Sequence, residues 1–199
     1  RCCRCGCRLG GVRRADRQPQ ATVLCPVCRR RPPSFRRVLT LASYTGPAAL
    51  LVQRLKYHRD TCIVRYLVPL LTELVCQERE RPEVVIPMPL HRRRLRARGF
   101  NQAGLLAQGV AQRLGLPCEQ RVLYRVQPTR TLTGLTAAER RREMCGAFQT
   151  RHAERVVGRH VLLVDDVLTT GASAEACTDA LLASGVRAVT VLVVARAEK

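Results

Sequence analysis

The segment VLLVDDVLTTGAS, residues 161–173, drives an apolar run into two adjacent carboxylates and then into small and hydroxyl-bearing residues. Each part has a chemical use. Asp165 and Asp166 can accept hydrogen bonds from ribose hydroxyls, or face a magnesium ion through water. Thr169, Thr170, Gly171, Ala172 and Ser173 lead into a helix start, whose backbone N–H groups and dipole favour an anion. Gly171 lets the loop approach a ligand closely. A diol binder beside a phosphate cradle implies a sugar phosphate. The competing reading is a plain strand-to-helix turn with two solvated acids, which the cost of adjacent like charges weakens.

A second pattern lies at the front. Cys2 and Cys5, then Cys25 and Cys28, form C-x₂-C-x₁₉-C-x₂-C. Four thiolates so spaced make two knuckles that close a tetrahedron around Zn²⁺. Gly6 after Cys5 gives the backbone room to turn. The intervening segment, with Gly10, Gly11, Pro19 and many arginines, has too little apolar surface to fold alone, so a metal would supply the missing core. Cys3 and Cys7 blur the register, and either can substitute as a ligand. Cys62, Cys76, Cys118, Cys145 and Cys177 are scattered and read as small buried apolar residues.

A third cluster is basic. Arg92, Arg93, Arg94, Arg96 and Arg98 read as a loop following an apolar strand, ahead of Gly99-Phe100-Asn101-Gln102. Guanidinium groups and amides there can meet phosphates. A basic solvated turn is the plainer alternative.

These residues need elements to hold them. TLASY (40–44), EVVIPMPL (83–90), VLY (122–124), HVLLVDD (160–166) and AVTVLVVA (188–195) read as strands. Helices are expected over 47–56, 62–78, 102–114 and 174–183. Continuous apolar strands alternating with helices mean an α/β fold, with a mostly parallel sheet covered on both faces. In such sheets ligands bind beyond the carboxyl ends of the strands, where both the acids and the arginines fall.

The chain has 199 residues and a formal net charge of +20. Residues 1–100 hold 22 basic against 6 acidic residues, residues 101–199 hold 13 against 9, so the excess is concentrated towards the front. Arginine dominates; Lys56 is the single internal lysine. Phosphate-bearing partners fit that bias. No apolar run approaches the ~20 residues of a membrane helix. RCCRCGCRLGG has no secretory apolar region, and a cytoplasmic protein is expected.

VLLVDDVLTTGAS resembles the ribose-phosphate loop of type I phosphoribosyltransferases, which bind phosphoribosyl pyrophosphate (PRPP). That resemblance implies Asp165 and Asp166 as catalytic residues on the ribose, and residues 169–173 around its 5′-phosphate. VIPMPLHRRRLRARGFNQAGLLA (85–107) and TGLTAAERRREMCGAF (133–148) resemble the ComF family, related to competence and DNA-uptake proteins. That family joins an N-terminal cysteine-zinc module to a phosphoribosyltransferase-like domain, which implies a four-cysteine zinc-ribbon module over 1–38 and a Rossmann-like domain over 39–199. It implies pyrophosphate at Arg96, Arg98, Gly99 and Asn101, a functional Lys56, and closure of residues 126–148 over substrates. Leu132 stands where the family commonly has glutamine, and Glu143 where it has asparagine, which puts base recognition in doubt.

The implied function is binding of PRPP with Mg²⁺, or of a nucleotide 5′-phosphate, with transfer of ribose 5-phosphate to an unidentified nitrogen acceptor. The alternative is a non-catalytic sensor or adaptor in DNA uptake, meeting single-stranded DNA or a protein partner. Three Phe and four Tyr offer few stacking platforms for direct strand binding.

Overall fold

The computed structural model describes residues 1–9, 23–126, 139, 144 and 146–197. Its centre is a parallel sheet of β1 (Arg37–Ser43), β2 (Val84–Pro87), β5 (His160–Leu168) and β6 (Ala188–Arg196), in the order β1-β6-β5-β2. The expected strands are present with shifted ends, and β1 starts at Arg37, just ahead of the expected domain boundary at 38. β3 (Leu123–Arg125) and β4 (Phe148–Thr150) form a small antiparallel pair.

Strand alternation sorts the core into two layers. On one face Leu162, Val164, Leu192 and Val194 meet α2 (Gly46–Tyr57), α3 (Val64–Cys76) and α5 (Gln102–Leu114). On the other, Val161, Leu163, Val191 and Val193 meet α6 (Ala172–Ala183) and the β3–β4 pair. These are Leu and Val runs buried on both sides, as a parallel sheet demands. Each fully buried Leu or Val contributes about 1.5–3 kcal/mol. Helix α5 spans the expected residues because Asn101 caps its start and Gly115 takes the left-handed conformation at its end.

Two expectations are corrected. The arginine-rich segment is a helix, α4 (Arg92–Arg98), not a loop. It buries none of its residues and is held by its ends: His91 Nδ1 accepts from the Arg93 N–H at 3.3 Å, and Gly99 closes it at φ 84°. Of the scattered cysteines, Cys177 is buried, but Cys62 and Cys76 are exposed. They lie off the Leu67, Leu71 and Val75 stripe that α3 turns inward. Cys145, Leu132 and Glu143 lie outside the described residues, as does most of segment 126–148.

Both outer strands are flanked by backbone. Val38 N–H, on β1, donates to the Arg4 carbonyl at 2.7 Å. Along β2, Val85 N–H donates to the Pro117 carbonyl, and Glu119 N–H to the Val85 carbonyl. The cysteine module adjoins β1: Gly6 lies so near it that a Cβ there would sit 3.3 Å from Thr40 Cγ2. Helix α1 (Pro26–Arg30) ties the module towards α6 through Arg31, whose guanidinium lies 3.6 Å from the Glu175 carboxylate.

Candidate functional site

Strand β5 carries both acids, and its alternation sends them to opposite faces. Asp166 turns to the α2–α5 side and is 3% exposed. Lys56 Nζ, from α2, sits 2.8 Å from Oδ1, and Gln102 Nε2, from α5, donates to Oδ2 at 2.7 Å. Both oxygens of Asp166 are therefore engaged within the protein. Gln102 is itself buried, and its Oε1 has no partner among the described residues. Lys56 was expected to matter without a derivable role; the fold gives it one, as the counter-charge of Asp166. Gln102 was not singled out, although it stands beside Asn101.

Asp165 turns to the α6 side and is half-buried. Its Oδ1 accepts from the Asp166 N–H at 2.8 Å. Burial pushes its carboxyl up to about 7, the Asp166 charge adds to that, and Lys56 and Arg125 pull the other way. Arg125, on β3, is the second residue missed at sequence level. Burial, then the nearby Arg94 of α4, brings its guanidinium below the usual range. Arg125 also lies over the Phe148 ring at 5.6 Å. Thus β3 and α4 bring positive charge to the Asp165 side.

The loop after β5 leads directly into the start of α6. Gly171 has φ 85°, a conformation costly for other residues, and a Cβ there would meet nothing within 4 Å. No side chain caps the start of α6 at Gly171, and the first intrahelical bond runs from Glu175 N–H to the Gly171 carbonyl. The N–H groups before Glu175 lack intrahelical acceptors. Thr170 Oγ1 accepts from the Ala172 N–H at 3.4 Å, Thr169 is exposed, and Ser173 Oγ donates to Met144 Sδ at 3.5 Å.

The other expected phosphate contacts sit at the edge of this arrangement. Arg96 is exposed on α4, and the Arg98 guanidinium lies 5.7 Å from the centre of the Tyr57 ring, next to Lys56 in sequence. Asn101 is occupied with the backbone: its Oδ1 accepts from Ala103 N–H, and its Nδ2 donates to the Met88 carbonyl at 3.0 Å.

At the N-terminus the Sγ atoms of Cys2, Cys5, Cys7 and Cys25 all lie within 4.8 Å of one another. Cys5 and Cys25 Sγ are 3.7 Å apart, against about 3.8 Å for the edge of a tetrahedron with Zn–S bonds of about 2.3 Å. Cys28 is buried in the same cluster. Three of the four expected ligands, Cys2, Cys5 and Cys25, are in the tight group, and Cys7 and Cys28 compete for the fourth place. Thiol sulfurs accept backbone N–H groups: Cys25 N–H donates to Cys2 Sγ at 3.3 Å, and Cys28 N–H to Cys25 Sγ at 3.4 Å. Burial pushes the Cys2 thiol up, but N–H groups of Cys25, Cys5 and Arg4 outweigh it and bring it down to about 6. Burial and the crowding of neighbouring thiols push Cys7 and Cys28 up. So many thiols can all ionise together only around a cation, and the donor set fits Zn²⁺.

A cavity of about 1080 Å³ connects the two regions. Cys5, Cys7 and Arg30 line one end, Thr169, Thr170 and Gly171 the other. Among the described residues no helix is long and apolar enough to cross a membrane.

No family model matches the chain. It is 36% identical over 172 residues to the DNA utilization protein YhgH of Salmonella typhimurium, covering 84% of this chain and 75% of that protein. It is 34% identical over 180 residues to competence protein F of Haemophilus influenzae, covering 87% and 78%. Among solved structures it is similar to adenine phosphoribosyltransferase from Leishmania tarentolae, with 18% identity, a TM-score of 0.45, and coverage of 77% and 74%.

Proposed function

Because this chain belongs to the ComF family, the family of competence protein F and DNA utilization protein YhgH, we propose that it binds a ribose 5-phosphate-bearing ligand, PRPP or a nucleotide 5′-phosphate, at the end of β5. The observation that carries the reading is the junction of Asp165 on β5 with a helix start entered through Gly171. The 5′-phosphate takes the N–H groups of Ser173 and Ala174 and the hydroxyls of Thr169 and Thr170. Ribose hydroxyls donate to Asp165, whose Oδ1 also accepts from the Asp166 N–H. Asp165 would hold, through water, the Mg²⁺ that PRPP brings, and that ion would neutralise pyrophosphate charge. Arg125, with Arg94 beside it, supplies further positive charge on that side.

If the site turns over, the C1–O bond to pyrophosphate breaks as a nitrogen nucleophile bonds to C1. Asp165 orients the ribose and holds negative charge near the developing cation, while Asp166 stays paired with Lys56 and Gln102 on the other face of β5. The test is calorimetry with PRPP and Mg²⁺, and with a nucleoside 5′-monophosphate, on the wild type and on Asp165→Asn. Loss of a charged hydrogen bond should weaken binding by about 1.5–3 kcal/mol. Unchanged affinity removes Asp165 from the site.

One observation supports a second reading, an adaptor role in DNA uptake. Helix α4 buries no residue and presents Arg92, Arg93, Arg94 and Arg96 to solvent. For a pyrophosphate role, Arg96→Ala and Arg98→Ala weaken PRPP more than monophosphate. For a strand-binding role they weaken single-stranded DNA and flatten its salt dependence by about 0.7 per lost phosphate contact.

A further inference from the structure

Arg196 ends β6, in register with Leu168 and so beside the start of the 169–173 loop. The next residue fixes this junction: Ala197 N–H donates to the Leu168 carbonyl at 2.9 Å. The Arg196 side chain turns into the cavity shared with the cysteine cluster. Its Nε and Nη1 are buried, and neither has a hydrogen-bond partner among the described residues. A guanidinium donates only and keeps its proton. Two buried donors on a permanent cation, left unpaired, carry a large desolvation cost. Their surroundings should therefore offer an acceptor with negative charge.

The cavity offers two candidates. One is the phosphate proposed for residues 169–171. The other is the sulfur cluster. Four thiolates around one Zn²⁺ leave a net charge of −2, and the sulfurs keep lone pairs for N–H donors. Cys5 and Arg196 line the same cavity, so Cys5 is the ligand for which this side-chain donor is at hand.

We propose that Arg196 is the outer-sphere partner of the metal centre, donating from Nε and Nη1 to thiolate sulfur once the cysteine cluster holds Zn²⁺. This rests on the reading of that cluster as a metal site. It makes the last residue of a central strand part of the metal's surroundings, and links the cysteine module to the loop that follows Leu168. Such partners orient ligands and tune the metal without touching it, and losing one typically weakens metal binding by about 10–100-fold.

The experiment measures Zn²⁺ affinity by competition with a chromophoric chelator on the wild-type chain, Arg196→Met and Arg196→Lys. Arg196→Met should bind Zn²⁺ about 10–100-fold more weakly. Arg196→Lys, which keeps the charge but not the planar fork, should fall between. In the Co²⁺-substituted proteins the sulfur-to-cobalt charge-transfer band should shift in Arg196→Met. If Arg196→Met fails to fold, the Lys variant carries the same comparison. Wild-type Zn²⁺ affinity and an unshifted band in the variants overturn the proposal. So does loss of inorganic phosphate binding with Zn²⁺ affinity intact, which would assign the guanidinium to the anion. A wild-type chain that takes no Zn²⁺ overturns the metal reading itself, and is told apart because the wild type alone shows it.

Discussion

The cysteine module and the sheet domain solve the same problem by different means. In the sheet domain, Leu55, Leu71, Ile86, Leu106, Leu162 and Leu192 are fully buried between strands and helices. In the module the buried cluster is Cys2, Cys25 and Cys28, with Leu9 and Leu24 only partly covered. The sheet is held by removing apolar surface from water, which no chelator can reverse. The module has nothing comparable, and its thiols cannot all ionise together unless a cation sits among them. A cysteine cluster fit for a metal and a hydrophobic core thus adjoin in one chain, and their stabilities should be separable.

The largest effect should come from stripping metal. Structural zinc in small modules supplies an apparent ~10–16 kcal/mol, so chelation should expose the module to protease between Cys5 and Cys28 while the sheet domain keeps its thermal transition. A single cooperative loss of both regions on chelation would mean that they are one folding unit. Next in size is Lys56→Met. It leaves the Asp166 carboxylate buried without its counter-charge, at a cost of about 3–5 kcal/mol. Urea unfolding should show that loss, and adding Asp166→Asn should recover part of it. A Lys56→Met chain as stable as wild type would show that the ion pair contributes nothing.

The smallest effect is a slope in pH. The Asp165 carboxyl titrates near 7 in the folded chain, and about 3.9 in the unfolded chain. The folded state therefore holds the extra proton. The contribution of Asp165 is fully present below about pH 4, and is lost as pH rises through 7. His160 acts oppositely: burial first, then Arg36 and Arg187, lower its pKa, so its contribution is lost as pH falls below its unfolded value. Subtracting the stability profile of Asp165→Asn from that of the wild type isolates the first slope, and a flat difference between pH 4 and 7 removes it. Chelation should leave this slope in place, since it belongs to the sheet domain.

Much of this was legible because it rests on runs and spacings. The apolar run before Asp165 had to be an inner strand, and Gly115 with Pro117 had to end α5. The cysteine spacing brought Cys2, Cys5 and Cys25 together, while the place of Cys7 against Cys28 depended on how the knuckles fold over one another. The opposite facing of Asp165 and Asp166 follows from strand alternation. What each acid meets does not: Lys56, Gln102 and Arg125 come from three different elements. Arg125 comes to the Asp165 side on β3, which pairs with β4 across a polar segment that carries no periodicity. The α4 helix escaped notice for a similar reason, since RRRLRAR has no apolar stripe and only its caps betray it.

The bond from Val38 N–H to the Arg4 carbonyl has a consequence for assembly. β1 is an outer strand, and an outer strand left bare can pair with the same strand of another copy. At the opposite margin the Pro117–Glu119 segment, part of the sheet domain's own connection, guards β2 whatever happens to the metal. The guard on β1 belongs to the cysteine module and is only as durable as that module's fold. On the proposed zinc reading, removal of the metal should uncover one margin of the sheet and leave the other closed, so that stripped chains join at β1, in pairs.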